Sequence, residues 1–130
     1  MTQQYGYGKT VGCGFDEAVN LVIEALQREG FGVLSDIDVA ATLKKKLGAD
    51  MPPYRILGAC NPPLAQRAIA AEPSIGLLLP CNVLVRQDPA GAVHVEVMNT
   101  ETVLQLVDKP EIAALATEVR ERLDRVLRAI

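Results

Sequence analysis

Two cysteine–asparagine steps carry the chemistry this sequence offers: Gly58-Ala59-Cys60-Asn61-Pro62 and Leu79-Pro80-Cys81-Asn82-Val83. A thiolate is a nucleophile and a soft metal ligand, so a cysteine pair suggests redox exchange, sulfur transfer or metal capture. Asn61 is a good helix N-cap, and Pro62 suits the first helical position, where its missing N–H costs nothing. Cys60 then stands just ahead of a helix start, where the positive end of the dipole favours a thiolate. Cys81 follows Pro80 in the most apolar run of the chain, Ser74 to Val85. Proline cannot donate to a sheet ladder, so that strand is expected to be an edge or to bulge there. A bulge re-aims side chains, a common device beside binding sites. The plain alternative for both thiols is packing, since reduced cysteine is among the most buried residue types. Cys13, between two glycines, reads as incidental.

His94 is the sole histidine, and Glu96 shares its strand face. Cys60, Cys81 and His94 have the donor types of a zinc site. Their spacing matches none of the short ligand loops of such sites, so no metal and no cofactor are expected, and the three stand only as a fallback set. There is no P-loop, no GxGxxG, no HExxH and no GxSxG. A Cys–His dyad is the only such catalytic pair on offer, and nothing local supports it. This favours a binding module over an enzyme.

Composition narrows the partners. At 130 residues, 49% hydrophobic and 22% charged, the chain reads as one globular domain over residues 1–130. Aromatic residues are 4% and Trp is absent, so the core must come from Leu, Val, Ile and Ala, and stacking platforms for bases are lacking. A formal charge of -3 gives no attraction to phosphate backbones or anionic membranes. Neither nucleic acid nor membrane is an expected partner. No basic-then-apolar leader opens the chain, and no apolar stretch approaches the roughly 20 residues of a membrane span. Three cysteines without scaffold spacing suit a reducing compartment, so a microbial cytoplasm is expected.

The elements that must hold these residues follow from periodicity. Met1–Gln4 should fray or extend an edge, and Tyr5–Val11 reads as a strand. Phe15–Glu29 reads as a helix, with Phe15, Val19, Val22, Ile23 and Leu26 on one face, and Gly30 taking the left-handed position after it. Phe31–Val39 is a second strand, and Asp38 caps a helix from Val39 to Leu47 that stops at Gly48. Lys44, Lys45 and Lys46 fan around that helix as solvated surface. Tyr54–Cys60 is the third strand, followed by a helix ending before Pro73. Ile75–Arg86 is expected to be the central strand, joined by a turn at residues 88–91 to an alternating strand, Ala92–Met98. Asn99–Asp108 could be a short helix or an irregular crossing. Asp108 is expected to cap a last helix whose stripe runs from Ile112 through Leu115, Val119, Leu123 and Val126 to Ile130.

Several of these segments together resemble one family. Phe15-Asp16-Glu17-Ala18, Gly30-Phe31, Asp36-Ile37-Asp38, Tyr54 to Pro62 and Leu79 to Val83 are similar to the domain-of-unknown-function 302 family, small bacterial and archaeal proteins. The resemblance runs from about Tyr5 to the last helix, and the CNP and LPCNV segments at their mutual spacing are its specific part. It implies a sheet covered by helices in a TATA-binding-protein-like β-α-β(n)-α arrangement, and no established activity. Asn99-Thr100 stands where the family pattern has an Asp-Pro pair.

The fold expected is therefore α+β: an antiparallel-rich sheet of four to five strands with two longer helices packed on it. The leading functional expectation is a small-ligand-binding or homo-oligomeric domain with a pocket at Cys60, Asn61, Pro80, Cys81 and Asn82. Two alternatives stand beside it. One is thiol redox or sulfur transfer, with Cys60 as nucleophile and Cys81 as second thiol. The other is a purely structural homodimer.

Overall fold

Phe15–Arg28 (α1) shows how local chemistry sets this architecture. Asp16 and Glu17 lie in its first turn, opposite the partial positive charge of the dipole. Glu24 and Arg28, one turn apart, approach to 4.0 Å on the exposed side. At its end Gly30 takes φ +84, Gly30 N–H donates to Gln27 O and Phe31 N–H to Leu26 O. This pair of reversed bonds closes the helix and folds Phe31 back onto the core, 2% exposed. The computed structural model describes residues 5–130, so the expectation for Met1–Gln4 lies outside the described residues.

Around α1 the chain builds β1 (Gly6–Val11), β2 (Gly32–Asp38), α2 (Val39–Leu47) and β3 (Tyr54–Cys60). It continues through α3 (Pro62–Ala71), β4 (Cys81–Gln87), β5 (Val93–Met98), α4 (Thr100–Val103) and α5 (Pro110–Arg128). The strands form one sheet in the order β1-β5-β4-β3-β2, every neighbouring pair antiparallel. The expected α+β class, strand number and two long helices are all present. Asp38 accepts from Ala41 N–H as the cap of α2, and Gly48 takes φ +67 beyond its last turn.

Alternation decides which face of the sheet is covered. Val83 and Val85 of β4 and Val93, Val95 and Val97 of β5 are all buried, while His94 and Glu96 between them are not. α1 lays Ala18, Val19, Val22, Ala25 and Leu26 into the same core. α5 adds Ile112, Leu115, Ala116, Val119, Leu123, Val126 and Leu127, the stripe expected from spacing. At about 2 kcal/mol for each large apolar side chain, this burial outweighs helix propensity in holding α5. Lys9 Nζ closes the far end of α5 by donating to Leu127 O (3.1 Å) and Ile130 O (2.6 Å).

Three expectations are corrected. The apolar run is not one strand from Ile75 to Arg86: Pro73–Leu78 is a 3-10 helix, and β4 starts only at Cys81. Pro80 cannot extend the ladder, and a short apolar run carries no period that separates strand from buried helix. β4 is also the middle strand, not an edge, and Pro80 lies just before it rather than within it. The last helix is capped by Lys109, not Asp108. Pro110 occupies the first helical position, which sets the boundary one residue later. The undecided segment after β5 is α4 followed by a 3-10 turn, Leu104–Leu106.

Candidate functional cavity

The last residues of β3, the first of β4 and the start of β2 meet at one end of the sheet. Ala59 is the Cα partner of Cys81 on one side and of Val33 on the other, and Cys60 partners Gly32. The register of β2 shifts between Val33 and Ser35, leaving Leu34 as an extra residue. The sheet does bulge beside the thiols, but in β2 rather than at Pro80. Behind this bulge Gly58 has no room for a side chain. A Cβ there would collide with Ser35 Oγ and lie 2.8 Å from the Pro80 ring. Glycine thus lets the Pro80 ring pack directly against β3.

These strand ends form one wall of a cavity of about 470 Å³, to which Ser35, Ala59, Cys60 and Cys81 contribute. α3 supplies the opposite wall through Leu64, Ala65, Ala68 and Ile69. Ile75, Gly76 and Leu79 of the segment before β4 close a third side, and Leu104, Leu115 and Val119 complete the lining. The cavity opens past Leu34 and Ile69, which are 72% and 48% exposed. Among the described residues, no charged side chain lines it.

Four of the five residues expected at a pocket line this cavity: Cys60, Asn61, Pro80 and Cys81. Asn82 does not. It follows Cys81 on the same strand, so the period of two turns it to the opposite face, where it is exposed. Asn61 is 7% exposed and structurally engaged. Its Oδ1 accepts from Leu64 N–H (3.4 Å) as the cap of α3, and its Nδ2 donates to Glu29 O (3.4 Å) at the end of α1. All three cysteines are free. Burial, and after it the neighbouring Cys60 thiol, push the Cys81 thiol up to about 11, so it keeps its proton at neutral pH.

His94 is not part of this site. It stands opposite Arg86, five residues along β4 from Cys81 and on the other face of the sheet. Five residues of strand span roughly 17 Å. Its ring bridges Asp88 Oδ2 (2.8 Å from Nε2) and Thr10 Oγ1 (2.9 Å from Nδ1), pinning the β4–β5 turn to β1. Hydrogen bonds from His94 and from the Ala92 and Ala90 amides hold the Asp88 carboxyl below its usual range. Cys60, Cys81 and His94 therefore cannot share a metal. Among the described residues, no group of three or more His, Cys, Asp or Glu side chains is placed to hold one.

Sequence reasoning missed the apolar walls. Leu64, Ala68, Ile75, Leu115 and Val119 carry no chemical signature. Their only trace was the pair of alanines at Ala65 and Ala68 on α3, which leave space where larger residues would fill it.

The comparisons agree with this architecture. A family model described as "Domain of unknown function DUF302" matches residues 7–130. The chain is also similar to the crystal structure of an uncharacterized conserved DUF302 protein from Bacillus stearothermophilus, with a TM-score of 0.90 and 29% identity over 98% of each chain. No functionally curated protein matches the chain. No helix among the described residues is long and apolar enough to cross a membrane.

Proposed function

The chain belongs to the DUF302 family, whose description assigns no activity, and we propose from the site itself that it is a binding protein for a small apolar molecule. The observation that carries this reading is the apolar cavity between the sheet end, α3 and α5. Its volume lies within the usual range of small-molecule sites, which are mostly apolar and carry a few convergent polar groups. Ser35, Cys60 and Cys81 are those polar groups here, the Asn61 amide being engaged at both ends by Leu64 and Glu29. Leu34 and Ile69 at the mouth leave apolar surface in water that a ligand would cover, at about 25 cal/mol per Å².

The test is a titration with N-phenyl-1-naphthylamine, an uncharged dye that brightens in apolar surroundings. Saturable one-to-one binding by the native chain, abolished by Ala65→Phe with the melting temperature retained, supports the reading. An absence of saturable binding overturns it.

Thiol exchange through Cys60 and Cys81 is the second reading, favoured by their place on adjacent strands around one cavity. The raised pKa of Cys81 counts against it as the attacking thiol, leaving Cys60 for that role. Self-association would use the other sheet face, where Ile37, half exposed, partners Ile56 and Ile56 partners Leu84.

A further inference from the structure

We infer that the ligand of this cavity is uncharged: a lipid-like molecule with one hydroxyl or carbonyl head, such as a long-chain alcohol or aldehyde. The inference rests on the cavity reading above and names its ligand class.

The start of α3 borders the cavity through Asn61 and Leu64. A helix N-terminus is ordinarily a ready anion site, because its first N–H groups have no partner within the helix. Here that site is disarmed. The first two helical residues are Pro62 and Pro63, which have no N–H to offer. The third, Leu64, gives its N–H to Asn61 Oδ1, and Ala65 N–H goes to Asn61 O. A carboxylate or phosphate in the cavity would find no free backbone donor in that turn.

Side chains offer it no compensation. Arg67 of α3, Lys109 at the start of α5 and Arg122 of α5 are engaged with protein groups. Arg67 faces Glu118 at 3.7 Å. Lys109 Nζ donates to Ala71 O (2.8 Å) and pairs with Glu72 (3.5 Å). Arg122 donates to Glu29 O (2.9 Å) and to Glu118 (3.3 Å). None of the three lines the cavity. An ammonium head fares no better, since no carboxylate lines the walls among the described residues. Moving an ion of either sign into apolar surroundings without a partner is strongly unfavourable.

A neutral head, by contrast, meets what the wall provides. Ser35, an exposed residue of β2 at the edge of the lining, can donate and accept through Oγ, and the two thiols are weak donors and acceptors. These groups lie at the sheet end, while α3, the 3-10 turn and α5 present only aliphatic surface. The cavity is thus polar at one side and greasy at the other, which orients an amphiphile head to the strands and tail to the helices.

Decanol, decanoate and decylammonium share a chain and differ in head charge, so displacement of N-phenyl-1-naphthylamine by the three at neutral pH isolates the head. Decanol is expected to bind at least about tenfold tighter than either ion. The variant Ile69→Arg, which places a cation at the exposed mouth, is expected to raise decanoate affinity relative to that of decanol. Decanoate or decylammonium binding the native chain as tightly as decanol would overturn the inference while leaving the cavity reading intact. Failure of all three to displace a bound dye would overturn the inference alone, and failure of the dye itself to bind would overturn both.

Discussion

Cys81 and Cys60 are two residues of one type in one cavity with different prospects. Cys81 is 6% exposed, and its burial raises the thiol to about 11 from an ordinary 9.0. A raised acid pKa means the folded chain keeps a proton that the unfolded chain has already lost. The contribution is therefore complete below the ordinary thiol pKa and declines as pH rises from there through about 11. Urea unfolding across this alkaline window should show wild type losing on the order of 2 kcal/mol that Cys81→Ala does not lose. Equal pH profiles would mean that Cys81 is not buried as described. Iodoacetamide near neutral pH should modify Cys60 well before Cys81, because only the thiolate reacts. Cys60, only partly buried, is the thiol a cavity ligand would meet first.

Elements place these residues by two local devices, the cap at Asn61 and the bulge at Leu34. Asn61 joins three helices, since Glu29 O at the end of α1 accepts both from its amide and from Arg122 on α5. Asn61→Ala should lower stability by about 1–2 kcal/mol in chemical denaturation, and Asn61→Asp, which keeps the capping oxygen, should lose less. Equal losses would show that the amide link to Glu29, not the cap, dominates. The cap was legible in the sequence because Asn-Pro-Pro before a helical pattern has few other uses. So were α1, α2 and the α5 stripe, where spacing repeats over several turns, and the paired valines of the β4–β5 hairpin. The run from Ser74 to Leu79 was not legible, because apolar residues without a period fit a strand or a buried turn equally. The same ambiguity put Asn82 in the pocket. Placing Pro80 inside the strand hid the alternation that sends Cys81 inward and Asn82 outward. The bulge at Leu34 left no mark at all, because Gly-Val-Leu-Ser reads as ordinary strand.

At the scale of the whole molecule, one antiparallel sheet is covered on one face by α1 and α5, and the short α3 leaves a gap at the sheet end. Apolar surface lining such a gap lacks the dispersion contacts that a bound apolar molecule would supply. A chain that keeps about 470 Å³ open beside exposed Leu34 and Ile69 gains by having a ligand there. If this gap, and not the other sheet face, is where the protein binds, amide chemical-shift mapping by NMR during titration with decanol will locate it. Saturable shifts are expected to concentrate at Ala59, Cys60, Ala65, Ala68 and Gly76. Shifts confined to Ile37, Ile56 and Leu84, or none that saturate, would contradict binding in the gap.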